Sequence, residues 1–121
     1  MNGLRGPVMK EIKAYIKRHK LGEVTLALQK IDGLTGLSVS DIYGFGRGRV
    51  RNEPEKITED MVDFLPQVKI ELICHDVLVE AIIATIERAA RTGLRGDGKI
   101  YVSPVDDAIR ISTGERGESA A

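Results

Sequence analysis

The chain has no tryptophan, and its aromatic share is only 4%. That excludes a nucleic-acid platform on which bases stack against exposed rings. Lys+Arg and Asp+Glu balance at 18 each, so no net field of either sign draws the chain to nucleic acid or to an anionic membrane. Cys74 is the one cysteine. An intramolecular disulfide and a cysteine-based zinc cluster are therefore excluded, and the thiol reads as a small apolar residue at a strand end in a reducing compartment. No run approaches the ~20 apolar residues of a membrane span, and the opening "MNGLRGPV" lacks an apolar core of signal-peptide length. These absences lead us to expect a cytoplasmic protein without membrane insertion. Residues 1–8 precede the first regular pattern and read as a disordered extension or a cloning scar.

What is present fits one domain. At 121 residues, 42% of them hydrophobic and 30% charged, the chain can bury a core of its own. "KEIKAYIK" (10–17) alternates Ile12, Ala14 and Ile16 against Glu11, Lys13 and Lys17, the period of a half-buried strand. "LGEVTLALQKID" (21–32) spaces Val24, Ala27, Leu28 and Ile31 as a helix that "GLTG" stops. "LSVSDIYGF" (37–45) reads as a strand, and "VDFLPQVKIELI" (62–73) as a second, with Phe64, Val68, Ile70 and Leu72 on one face. Asp76 is expected to cap a helix with the stripe Leu78, Ala81, Ile82, Ile86 and Ala89, ending at Gly93, with Thr85 buried in that stripe. "KIYVSPV" (99–105) is a further strand and "AIRIS" (108–112) a short one. The order β-α-β-β-α-β predicts an α+β, ferredoxin-like fold with helices on one face of an antiparallel sheet. Apolar residues on both sides of several strands predict that an oligomer covers the other face.

Two loops stand out. Gly93 to Lys99 fits G-x-x-x-x-G-K, but Ile100 stands where a P-loop needs a hydroxyl, and the order is helix–loop–strand rather than strand–loop–helix. A Walker NTPase is excluded. Glycines that let backbone approach an anion, with Arg95 and Lys99 as fixed charge, leave open either another kind of phosphate loop or a simple turn into the strand. The second loop, 46–61, interrupts a hairpin that a tight turn of two to five residues would close. Its arginines 47, 49 and 51 precede Glu53, Glu55, Glu59 and Asp60, consistent with a solvated loop or with a partner-docking arm.

"GFGR" (44–47), "VDFLPQVKIE" (62–71), "ARTGLRGDGKIYV" (90–102) and "IRISTGERGE" (109–118), in this register, resemble the PII nitrogen-regulatory signal proteins from about Met9 to Glu118. The resemblance implies a homotrimer of ferredoxin-like subunits, domain 9–112 with a T-loop at 46–61 and a B-loop at 92–99, followed by a C-terminal tail 113–121. It implies ATP or ADP as regulatory ligand in clefts between subunits, with an accompanying Mg²⁺ left open. In that picture Gly96, Asp97, Gly98 and Lys99 wrap the phosphates and Thr92 lies at the loop entry. Gly46 and Arg47 approach from the long loop, Arg110 reaches in from the neighbouring subunit, and Glu71 and Ile73 face the adenine. Arg49, Arg51, Glu55, Thr58 and Asp60 belong to the arm that docks on a protein target, a membrane transporter or a metabolic enzyme or regulator.

The departures from the family pattern bear on function. Gly48 replaces a glutamine that helps to hold Mg²⁺ and 2-oxoglutarate, Gln67 replaces a lysine that pairs with the 2-oxoglutarate carboxylate, and Ser112 replaces a phosphate-binding arginine. Asp60 stands where the uridylylated tyrosine would be, and Thr58 where some members carry a phosphorylated serine. "YIKRHK" (15–20) replaces "IIKPFK", with His19 as a surface residue. The expectation is a non-enzymatic regulator that senses adenylate nucleotides, without the usual 2-oxoglutarate sensing or uridylylation. The alternatives are a slow nucleotide hydrolase, in which Asp97 or Glu71 serves as base or metal ligand, and a PII-like sensor of another small anion.

Overall fold

The computed structural model describes residues 8–44 and 65–121. Gly46, Arg47, Arg49, Arg51, Glu55, Thr58 and Asp60, with Gly48 and Phe64, lie outside these residues. The elements run β1 (Met9–Lys17), α1 (Leu21–Leu28), β2 (Ser38–Gly44), β3 (Leu65–His75), α2 (Val79–Ala90) and β4 (Lys99–Pro104). Short 3-10 turns occupy Arg18–Lys20, Asp76–Leu78 and Glu118–Ala120.

The four strands form one antiparallel sheet in the order β2-β3-β1-β4, the ferredoxin-like arrangement expected from the element order. The period of two in β1 and β3 does what it predicts. Ile12, Ala14 and Ile16 stand opposite Leu72, Ile70 and Val68, all buried with Val24 and Leu28 of α1 and Ile82, Ile86 and Ala90 of α2. Both helices therefore cover one face of the sheet. Each large side chain in this cluster is fully withdrawn from water, a gain of about 1.5–3 kcal/mol apiece. Thr85 enters the cluster by donating its hydroxyl to the Ala81 carbonyl at 2.7 Å, so its burial leaves no polar group unpaired.

The opposite face is mixed, with polar rows across its middle and Ile42 and Ile73 toward its ends. Across it run Ser40, Lys69, Tyr15 and Lys99, then Ser38, Glu71, Lys13 and Tyr101, paired by register. Lys69 and Glu71 lie 3.7 Å apart, and Lys13 and Glu11 4.0 Å apart. Tyr15 and Tyr101 meet edge to face, ring centroids 5.9 Å apart at 86°. Oligomer formation through this face would match charges and rings as well as hydrocarbon.

Several local expectations need correction. The first helix ends at Leu28 and not at Asp32, because the chain after it turns through Gln29 and Lys30 before Gly33 reverses it at φ +94°. Asp76 does not cap the second helix: it opens a 3-10 turn, and the cap position falls on Leu78, which makes no side-chain cap bond. Ala81 is exposed, and Val79 and Ala90 fill the stripe in its place. That helix ends at Ala90, with Arg91 already extended, so Gly93 serves the following loop. Residues 108–112 form no strand of the sheet; they fold back on 115–117 through the single bridge of Ile109 with Arg116. His19 is exposed, as expected.

Candidate functional site

The loop from Thr92 to Gly98 joins the end of α2 to the start of β4, beside the last residues of β1. Its organising group is a carboxylate. Asp97 accepts hydrogen bonds from the backbone N–H groups of Thr92 at 2.9 Å and Gly93 at 3.0 Å, and from the Thr92 hydroxyl. Lys17, at the end of β1, lies 3.2 Å from the same carboxylate and donates to the Thr92 hydroxyl at 3.0 Å. That hydroxyl also accepts from Leu94 N–H at 3.0 Å. The threonine thus uses its single proton and both lone pairs. The Thr92 hydroxyl above all, then the two N–H groups and the Lys17 ammonium, hold the Asp97 carboxyl well below the ordinary carboxylate range.

Two of the expected site residues, Thr92 and Asp97, bond each other here, so the anion that organises the first half of the loop is the protein's own. What the lock leaves available is the second half. Gly96 and Gly98 hold φ of +85° and +103°, a region that side chains resist, and Lys99 stands exposed at the start of β4. Gly98 has a second constraint, because a β-carbon there would lie 1.6 Å from the Tyr15 carbonyl oxygen. Only glycine lets β4 enter its ladder with β1 at this point. Below the loop is a hollow of about 360 Å³, lined by Glu87, Arg91, Gly98 and Lys99 among others.

Within one chain, the other predicted site residues are elsewhere. Lys99 pairs with Tyr15 near the end of β1, whereas β4 leaves the sheet at Pro104 beside Lys10. Eight residues of strand, about 27 Å at ~3.4 Å each, separate Lys17 from Met9. Arg110 lies beyond the Met9 end, where its guanidinium reaches Glu115 at 3.2 Å and the Ser119 carbonyl at 3.2 Å. The Ser119 hydroxyl and Arg110 together lower the Glu115 carboxyl from its ordinary value. Glu71 and Ile73 line a second hollow, of about 410 Å³, with Thr35, Gly36, Leu37 and Ala121. The base of the long connection lies with the loop: Gly44 pairs with Leu65 at the end of the sheet where Gln67 pairs with Lys17. Lys99 and Arg110 therefore lie toward the two ends of the sheet, with Glu71 opposite Lys13 at the middle of β1 and Ile73 opposite Glu11. Lys17 was missed by the sequence reading; its only signal was a lysine closing the polar face of β1. Among the described residues, no group of three or more His, Cys, Asp or Glu is placed to hold a metal ion, and no helix is long and apolar enough to cross a membrane.

The family model of nitrogen regulatory protein P-II matches residues 9–115. The chain belongs to the PII family. Among its PII relatives, the nitrogen regulatory protein P-II of Rhodospirillum rubrum is 53% identical over 112 residues, spanning 93% of this chain and 99% of that protein. The protein of the same name from Azospirillum brasilense is 49% identical over the same share. The crystal structure of Arabidopsis thaliana PII bound to citrate superposes with a TM-score of 0.77 at 38% identity, covering 98% of this chain and 96% of that one. This PII chain is accordingly a signal-transduction regulator by family, and its relatives carry regulatory rather than enzymatic names.

Proposed function

We propose that this PII protein is a homotrimeric adenylate sensor, in which ATP or ADP bridges two subunits and biases the long loop toward or away from a protein target. The observation that carries this reading is the separation of the two residue groups. The glycines and lysine of the 92–99 loop suit phosphates, through backbone N–H groups and fixed charge. The Glu71–Ile73 hollow, with Arg110 nearby, suits a flat base and a phosphate oxygen. One chain holds Lys99 and Arg110 toward opposite ends of its sheet, and the hollow beside Arg110 shares no residue with the loop, so one nucleotide would use the loop of one subunit and the hollow of the next. A ring of such head-to-tail contacts closes as a trimer. Asp97 supports a binding role over hydrolysis, since a carboxyl already held by four donors is a poor base or metal ligand. Only loop conformers that differ in affinity for the target would carry signal. The target is of the kind the family arm fits, a membrane transporter or a metabolic enzyme or regulator in the cytoplasm.

Calorimetry tests this. Lys99→Ala and Arg110→Ala should each weaken ATP and ADP by about 10- to 100-fold, the loss of one charge-assisted contact of about 1.5–3 kcal/mol. Trimers assembled from a mixture of the two variants should regain a fraction of tight sites, because one interface then draws Lys99 and Arg110 from different chains. Unchanged affinity in both variants would remove the proposed site, and no recovery on mixing would place it within one chain. 2-Oxoglutarate should bind weakly even with Mg-ATP, as Gly48 offers the metal no oxygen and Gln67 offers a carboxylate no charge. Micromolar binding would restore an ordinary nitrogen sensor. The citrate held by the Arabidopsis relative favours a second reading, a sensor of another small anion, which citrate titrated against the same complex would reveal.

A further inference from the structure

The residues after Gly117 are not a loose end. Glu118 opens a turn in which Ala120 N–H meets the Gly117 carbonyl at 2.9 Å, and its carboxylate sits 2.7 Å from Nε2 of His75, the last residue of β3. The other ring nitrogen of His75, Nδ1, is 3.4 Å from the Asp76 carboxylate. This contact sets the next three residues in place. The Ser119 carbonyl accepts from Arg110, and Ala121 becomes part of the wall of the Glu71–Ile73 hollow.

We propose that the 118–121 segment is a lid over this hollow, latched by the His75–Glu118 contact, which occludes the site and withholds Arg110 until it lifts. The proposal rests on the nucleotide reading for what the lid excludes. Two features act together. Ala121 occupies space that a base would need, and the Arg110 guanidinium is shared between Glu115 and the Ser119 carbonyl of the lid, so lifting the lid frees the cation as it opens the hollow. Affinity is then reduced by the fraction of chains that are closed.

The latch is sensitive to pH. Among the described residues, the charged groups facing the imidazole are Asp76, from the turn after β3, and Glu118, from the lid; the residue opposite on β1 is Met9. The Glu118 hydrogen bond above all raises the His75 pKa above its ordinary value; burial opposes it, and the Glu118 charge and the Asp76 contact add to the rise. A raised histidine stabilises the closed form fully below its free value of about 6.5 and loses that contribution as pH rises through the raised one. Closure therefore prevails in acid, and the lid loosens as pH rises through the raised value.

The test measures lid and ligand separately, in the wild-type trimer and in Glu118→Gln and Glu118→Ala. NMR should show the His75 pKa falling toward its free value in both variants. Amides of 118–121 should be ordered at pH 6 and mobile at pH 8 in the wild type, and mobile at both in Glu118→Ala. An unshifted His75, or equal tail order in all three proteins, overturns the latch. Calorimetry with ATP, each protein compared at the same pH so that the titration of the nucleotide cancels, should show Glu118→Ala binding about three- to tenfold tighter at pH 6, with the gap narrowing at pH 8. Equal affinities with a proven latch overturn the lid's role at the site. Failure of all three proteins to bind ATP sinks the nucleotide reading instead, and the tail amides alone then decide for or against the latch.

Discussion

At the end of the sheet where β1 meets the start of β4, hydrogen bonds from Thr92 and Gly93 and an ion pair from Lys17 converge on one carboxylate. At the other end, the segment after β4 is fastened by pairs spread over an exposed surface: Arg110 with Glu115, Arg116 with Asp107, His75 with Glu118. The side chains of Lys17 and Asp97 are 13% and 27% exposed, those of Arg116 and Asp107 69% and 42%. Partial burial strengthens the first set and solvent screens the second. The molecule thus keeps a tightly fixed loop at one end and a segment held by exposed pairs at the other.

The largest expected difference between the two ends is at glycine. Gly98→Ala should cost on the order of 3 kcal/mol, from positive φ and the clash with the Tyr15 backbone. Gly114→Ala, at φ +76° with nothing within 4 Å of an added β-carbon, should cost only about 1–2 kcal/mol. Urea unfolding of the two variants compares them; equal midpoints would mean that the β4 entry is no tighter than the tail.

Next comes the carboxylate lock. Asp97→Asn and Lys17→Met should each lose about 1–2 kcal/mol, less than a fully buried charged hydrogen bond because solvent reaches the group. The depressed Asp97 pKa fixes the sign with pH. Its contribution is complete above the unfolded value of about 3.9 and is lost as pH falls from there through the lower folded value. Unfolding curves between pH 2 and 7 should therefore fall less steeply on the acid side for Asp97→Asn than for the wild type. An identical acid limb would show that the lock adds nothing to stability.

The smallest effect belongs to the exposed pairs. Asp107→Asn should shift stability by about 0.2–1 kcal/mol in low salt and by nothing measurable near 1 M, where the screening length shrinks to about 3 Å. A salt-independent loss above that range would mean that the tail end is as firmly built as the loop end.

These contrasts also mark where the sequence was legible. The period of two in β1 and β3 was readable because one sheet face is covered by helices, so every second residue must be apolar. The entry to α2 was misread because Asp76 has cap chemistry, while the chain spends its first turn as a 3-10 helix and delays the cap position to Leu78. Alternation in "AIRIS" imitated a strand, but the chain after it turns at Gly114 and folds back, so its one bridge is to Arg116 and not to the sheet. The 90–102 and 109–118 motifs marked the family, yet they could not show that Arg110 and Lys99 lie at opposite ends of the sheet, since distance across a fold is absent from motif order. Lys17 was invisible for the same reason: its hydrogen bond to Thr92 spans 75 positions in the chain.

The crossing of Tyr15 and Tyr101 on the helix-free face has an optical consequence. With no tryptophan in the chain, near-ultraviolet emission is dominated by its three tyrosines, and two of these stand edge to face at 5.9 Å. Rings held at a fixed angle in an asymmetric setting give a near-ultraviolet dichroism band stronger than that of free tyrosine. Their place beside Lys13 and Lys99 puts that band on the face that subunits would cover. If subunits meet on this face, dilution of unlabelled protein should change that band, readable without a dye that would alter the surface being measured.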